Sequence, residues 1–196
     1  MSIRTITLAD GSKLKYDSSQ GRGQIAYDEN GSAILSGWKN ASIFGTKGNN
    51  SYTIADSSGM KVYGNNGDDN IKLINSKNSQ VYGGNGNDRI TTIGGHDNQI
   101  YGQKGNDTLR NFNSSYSTLD GGKGNDSIFN RSHHSSVKGG KGHDHINSRE
   151  SYSHRRDYGS HHNPYQSHNS HNSHRPEHNE GAYARMGKFF SEMFGF

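Results

Sequence analysis

Cysteine is absent from the 196 residues, which excludes disulfide bonds and thiolate metal centres and leaves only hard, oxygen-liganded or imidazole-liganded ions as candidates. Apolar side chains are scarce as well. Hydrophobic residues make up 27% of the chain, against roughly 45–50% apolar residues, glycine included, in ordinary globular proteins. A conventional greasy core is therefore not expected to hold this chain together by itself. No run approaches the ~18 apolar residues of a membrane span. The opening residues Met1 to Leu8 lack the basic stretch followed by an uninterrupted apolar stretch of a cleaved secretory signal, so any export is expected to use another signal. Enzyme constellations are missing too: there is no His-Glu-x-x-His, no Gly-x-Ser-x-Gly, no Walker loop and no cysteine nucleophile, and the chain is read as non-enzymatic.

What is present is glycine, 27 residues of it, set in a repeat. Val62-Tyr-Gly-Asn-Asn-Gly-Asp-Asp-Asn-Ile71 is followed by equivalent segments at Val81–Ile90, Ile100–Leu109, Leu119–Ile128 and Val137–Ile146, and preceded by a degenerate copy at Ile43–Tyr52. Successive copies start nineteen residues apart, except for one step of eighteen. Such a period is too short to fold alone, so the copies must stack.

These copies resemble the glycine-rich nonapeptide G-G-x-G-x-D-x-U-x of the RTX (hemolysin-type) family. The resemblance covers about half the chain and implies an all-β fold, a right-handed parallel β-roll that binds Ca²⁺ in secreted proteins exported by type I machinery. In the family both halves of each coil carry the motif, whereas here the alternate halves, such as Asn75 to Gln80, lack G-x-D. Calcium is therefore expected along one side only. The expected ligands are the carboxylates of Asp69, Asp88, Asp107, Asp126 and Asp144, with backbone oxygens from Gly64, Gly67, Gly83, Gly86, Gly102, Gly105, Gly121, Gly124, Gly139 and Gly142.

The residues argue the same way on their own. If each period is one coil, equivalent acids stack at the strand spacing of ~4.8 Å. Neighbouring carboxylates then repel by about 1 kcal/mol in water and about 3–4 kcal/mol at an effective dielectric near 20. A divalent ion that accepts six to eight oxygens in flexible geometry turns that repulsion into cohesion, which favours Ca²⁺ over Mg²⁺. The competing reading is a metal-free solenoid whose Asn and Asp residues simply make Asx-type turns. Two apolar columns should point inward, Ile43, Val62, Val81, Ile100, Leu119 and Val137 before the turns, and Tyr52, Ile71, Ile90, Leu109, Ile128 and Ile146 after them. Ile74, Ile93 and Phe112 are expected to fill the opposite half-coil, with Arg131 breaking the series and fraying the last coil. Phe44, Tyr63, Tyr82 and Tyr101 form an outward aromatic ladder, read either as a glycan or partner site or as plain cross-strand stacking.

The flanks differ in character. Residues 1–42 carry short alternating runs punctuated by Asp10-Gly11 and Asn30-Gly31, which predict hairpins forming a β cap over the first coil with Trp38 as its plug. Residues 147–180 are rich in His, Ser and Asn with almost no aliphatics and read as a disordered linker. There His161, His162, His168, His171 and His174 are candidate ligands for Zn²⁺, Ni²⁺ or Cu²⁺, set against a plain solvated spacer. Residues 181–196 place Tyr183, Met186, Phe190, Met193 and Phe194 on one face at helical spacing, read as an amphipathic secretion signal and alternatively as a membrane-surface or self-association helix.

The net charge of +4 and the outward row Lys47, Asn66, Asn85, Lys104, Lys123 and Lys141 suit an anionic cell surface or polysaccharide, with no signal for specific nucleic-acid binding. The role expected is that of a secreted calcium-folded structural or adhesive protein. Two alternatives are a small bacteriocin-like effector and a calcium-dependent ice-binding solenoid, the latter disfavoured by bulky lysines where a flat Thr and Asn array would be needed.

Overall fold

The computed structural model describes residues 2–20 and 22–148. They form sixteen strands and one short 3-10 turn. The strands are β1 (Ile3–Thr7), β2 (Lys13–Asp17), β3 (Gln24–Tyr27), β4 (Ala33–Ser36), β5 (Ser42–Phe44), β6 (Ser51–Ala55), β7 (Lys61–Asn66) and β8 (Asn70–Ile74), continuing as β9 (Gln80–Asn85), β10 (Arg89–Ile93), β11 (Gln99–Lys104), β12 (Thr108–Phe112), β13 (Thr118–Lys123), β14 (Ser127–Arg131), β15 (Ser136–Lys141) and β16 (His145–Ser148). Two eight-stranded sheets result: one ordered β1-β2-β5-β7-β9-β11-β13-β15, the other β3-β4-β6-β8-β10-β12-β14-β16. The chain alternates between them, so each period contributes one strand to each sheet and the whole is a parallel β-solenoid.

Register follows the repeat. Val62 pairs with Val81, Val81 with Ile100, Ile71 with Ile90 and Ile90 with Leu109, always one period apart. Both predicted apolar columns point inward. Ile43, Val62, Val81, Ile100 and Leu119 are buried, as are Tyr52, Ile71, Ile90, Leu109 and Ile128. Only the last coil opens, with Val137 partly buried and Ile146 45% exposed.

Two expectations about the interior are corrected. The strand after the acid turn alternates, so with Ile71 facing in and Lys72 out, the next inward residue is Leu73, while Ile74 is buried at the strand end outside the central cluster. The second inner column is therefore Ile54, Leu73, Thr92, Asn111 and Asn130, all buried, which passes from apolar to polar along the axis. Its polar members satisfy one another: Thr92 Oγ1 donates to Asn111 Oδ1 at 2.7 Å, and Asn111 Nδ2 to Asn130 Oδ1 at 3.0 Å. Ile93 and Phe112 stay only half-buried at their strand ends. The last coil does open, but Arg131 itself projects outward at the end of β14, and β14 keeps its pairing with β12 and β16. The eighteen-residue step is absorbed beyond it: Phe112 pairs with Arg131 at nineteen residues and Thr118 with Ser136 at eighteen, so the shortened segment is residues 132–135.

The N-terminal end is closed by reversing strand direction. β1 and β2 form an antiparallel hairpin through Asp10-Gly11, where Gly11 has φ +87°, and β2 then pairs antiparallel with β5. β3 and β4 form a second hairpin through Asn30-Gly31, and β4 pairs in parallel with β6. The parallel stack thus reaches back to Ala33, ten residues before Ile43. Trp38 fills the interior of this end completely, edge-on to Tyr16 at 5.0 Å, and its Nε1 donates to the Gln24 carbonyl at 3.0 Å. Such a plug blunts an open sheet end that would otherwise invite pairing with other chains.

Candidate metal centre

Each coil turns two corners. The acid corner lies between β7 and β8 and at the equivalent junctions of later coils. Its inner acids Asp69, Asp88, Asp107 and Asp126 are all 2% exposed or less. They form a ladder through the backbone: the Asp69 N–H donates to Asp88 Oδ1 at 2.8 Å, Asp88 to Asp107 at 2.7 Å, Asp107 to Asp126 at 2.8 Å and Asp126 to Asp144 at 3.0 Å. Asn50, which stands in place of an acid in the first copy, donates its N–H to Asp69 Oδ1 and uses its amide to hold Thr46 and Asp10.

The second carboxylate oxygen is the telling one. Oδ2 of Asp69, Asp88, Asp107 and Asp126 is buried without a hydrogen-bond partner. On each coil it faces a glycine Cα and a carbonyl of the next coil. A Cβ on Gly64 would run into Asp69 Oδ2 and the Gly83 carbonyl, and Gly83, Gly102 and Gly121 repeat this with the acid of their own copy and the carbonyls of Gly102, Gly121 and Gly139. These glycines leave a notch lined by two oxygens. Burial pushes the carboxyls upward, to about 7 at Asp69 and Asp107, about 6 at Asp88 and upward at Asp126, against the pull of the backbone N–H bonds; the Asp88 and Asp126 carboxylates raise Asp107 further.

An orphaned, desolvated carboxylate oxygen beside a backbone carbonyl fits a hard cation and nothing softer. Among the described residues no three His, Cys, Asp or Glu side chains gather into a metal-binding group, so carboxylates alone cannot complete a shell and backbone oxygens must contribute. Gly64, Gly83, Gly102, Gly121 and Gly139 lie at the notches. Gly67, Gly86, Gly105, Gly124 and Gly142 have φ values from +108° to +137°, and a Cβ on Gly86 would overlap the Gly67 carbonyl. Asp144 accepts from Asp126 at the last, more open coil. His161, His162, His168, His171 and His174, and the amphipathic segment 181–196, lie outside the described residues.

Sequence reasoning missed two features here. The residue before each acid makes an outer ladder of opposite sense: the Asp68 N–H donates to Asn49 Oδ1, Asn87 to Asp68, Asn106 to Asn87, Asn125 to Asn106 and His143 to Asn125. Its signal was the Asn or Asp at that position in five of six copies. The second feature is the other corner, where buried hydroxyls and amides take the place of acids. Ser57 donates its N–H to Ser76 Oγ at 3.4 Å, Met60 to Ser79 Oγ at 3.2 Å, Ser79 to Asn98 Oδ1 at 3.0 Å and Asn98 to Ser117 Oγ at 3.2 Å. Left-handed φ values at Asp56, Asn75, Asn78 and Asp97 make this turn, a conformation that Asx side chains tolerate best after glycine.

On the outer surface Phe44, Tyr63, Tyr82 and Tyr101 stack with centroids 5.1 Å apart and planes within 10°. The ring faces cover one another and present edges to solvent.

No curated protein and no solved structure shows a significant match to the chain. The family profile described as RTX calcium-binding nonapeptide repeat (4 copies) matches residues 75–97 and 116–130. Those segments include the whole of the acid-corner copies at Val81–Ile90, with Asp88, and Leu119–Ile128, with Asp126. Over those two segments the chain is similar to RTX calcium-binding nonapeptide repeats, and the stacked coils and buried acid column continue the same pattern beyond them.

Proposed function

We propose that this chain is an exported module that remains loose where Ca²⁺ is scarce and winds into its roll where Ca²⁺ is abundant, with ions along the acid corner alone. The observation carrying this reading is the orphaned Oδ2 on four successive coils, set against the satisfied hydroxyls of the opposite corner. Asp69, Asp88, Asp107 and Asp126, with the carbonyls of Gly83, Gly102, Gly121 and Gly139, are the ligands proposed; Asp144 ends the series. When bound, Ca²⁺ supplies positive charge and a demand for six to eight oxygens. The chain's part is to hold the acids dry, in register and unable to relax apart. Sites of roughly 10⁻⁴–10⁻³ M suffice for extracellular modules, and binding free energy that exists only in the folded state is folding free energy. The role that follows is structural, an adhesive or surface-binding element rather than a catalyst.

Circular dichroism during a Ca²⁺ titration, with Mg²⁺ in parallel, tests this. The expected result is a transition from coil to β with Ca²⁺ and little response to Mg²⁺. Full β-content and unchanged melting in excess chelator would overturn it.

A further inference from the structure

We infer that the outer face of the β7-β9-β11-β13-β15 sheet binds a linear anionic polysaccharide laid along the solenoid axis. This deepens the surface-binding reading and requires only that the roll be folded. Lys104 lies in register beside Lys123, and Lys123 beside Lys141, so three exposed ammonium groups are stacked at about one strand spacing, ~4.8 Å. Like charges directly opposite one another are unfavourable without a counter-charge. The acid nearest in the neighbouring column, Asp120, is engaged by Lys138 at 3.0 Å, and Asp68 is the one acid of the outer ladder, two positions from Asn66. Among the described residues, the excess positive charge along this strip therefore has no partner of matching length.

The row continues into a groove of about 610 Å³ lined by Lys47 and Lys104, by the amides of Asn65, Asn66, Asn85 and Gln103, and by Tyr63 and Tyr82. Asn85 Nδ2 donates to Asn66 Oδ1 at 2.6 Å, which links two amides that continue the register column of the lysines. Amides both donate and accept, as sugar hydroxyls do. A chain bearing anionic groups and hydroxyls at a short, regular repeat meets both halves of this surface. A single-stranded nucleic acid does not, because base recognition uses exposed ring faces. Here the faces of Phe44, Tyr63, Tyr82 and Tyr101 are spent on one another.

The test uses the full chain in saturating Ca²⁺, with dextran sulfate as the probe, neutral dextran of equal length as its control, and single-stranded DNA as competitor. Two variants are compared: K104Q/K123Q/K141Q on this face, and K72Q/R89Q/R131Q on the opposite sheet, which removes the same charge elsewhere. The expected result is dextran sulfate binding that weakens with salt, no binding of dextran, at least a tenfold loss in the first variant and less than a twofold loss in the second. Equal losses in the two variants would reduce the effect to net charge and overturn the assignment, as would absent binding or tighter binding of DNA. Circular dichroism of each protein with Ca²⁺ and with chelator is read first. A roll that folds without Ca²⁺ sinks the calcium reading while the binding comparison still decides this one.

Discussion

At the acid corner the Asp69 N–H is met by a carboxylate from the next coil, and at the opposite corner the Ser79 N–H is met by the amide oxygen of Asn98. The backbone's requirement is the same; what is left over differs. Ser76 Oγ donates to the Ile74 carbonyl at 3.1 Å and Ser79 Oγ to the Lys77 carbonyl at 3.0 Å, so the hydroxyl corner closes on itself. A carboxylate has a second oxygen and no hydrogen to return, so the acid corner is complete only with a cation or a proton from outside. One winding therefore contains a self-sufficient edge and a dependent edge, which accounts for a repeat that carries its acid once per coil.

The strongest way to break this contrast is to fill a notch. In Gly83→Ala the new Cβ meets Asp88 Oδ2 and the Gly102 carbonyl, and the backbone oxygen cannot yield. Loss of Ca²⁺-induced folding is expected, more than ~3 kcal/mol. At Gly37 nothing lies within 4 Å of a Cβ, so Gly37→Ala suffers only the left-handed backbone, about 1–2 kcal/mol. Urea titrations in saturating Ca²⁺ distinguish the two.

Converting one corner's chemistry into the other's is the next largest change. Asp88→Asn with Asp107→Asn keeps the Oδ1 acceptors and places an N–H donor toward the Gly102 and Gly121 carbonyls. In chelator this pair should be more stable than the parent by about 1–3 kcal/mol at pH 7.5. Its Ca²⁺ midpoint should rise at least tenfold. Loss of stability in chelator would show that the charge is not what makes this corner dependent.

Proton occupancy gives a gentler probe. Carboxyls raised from 3.8 to about 6–7 bind more protons folded than unfolded between those values. The metal-free roll therefore loses stability as pH rises from about 4 to about 7 and is most stable below that window. Ca²⁺ competes with those protons, so its midpoint should fall as pH rises through the same window, with protons released on binding at pH 6. Calorimetry in two buffers of different ionisation heat checks the release.

The smallest effect belongs to the neutral corner. Ser76→Ala strands the buried Ser57 N–H and should remove about 1–2 kcal/mol in saturating Ca²⁺, measured by urea unfolding, with calorimetric stoichiometry unchanged.

Most of the scaffold was readable from residues. Val62 and Ile71 recur with an apolar partner every period, and Asp10-Gly11 and Asn30-Gly31 mark real hairpins. The acid column was readable because acids repeated at a fixed period must stack once the coils do, whether they serve a cation or only cap backbone N–H groups. Ser76, Ser79 and Asn98 were not, since polar residues between strands look like solvated loop until stacking buries them. The period does continue from Ala33 to Tyr52 and from Leu35 to Ile54, but Ala33 offers little apolar signal. Thr92, Asn111 and Asn130 hid for a related reason: a polar residue enters a core only if its neighbour one coil away completes it, and that neighbour is nineteen residues distant.

The two Asx ladders of the acid corner point in opposite directions along the axis, the inner toward the following coil and the outer toward the preceding one. Slippage of one winding past the next would break both sets at once, so neither insertion nor deletion is tolerated there. The eighteen-residue step obeys this, its shortening confined to residues 132–135 on the other side. Length variation among tandem copies should accordingly collect on the hydroxyl side, leaving the acidic edge as the fixed ruler against which the chain is wound.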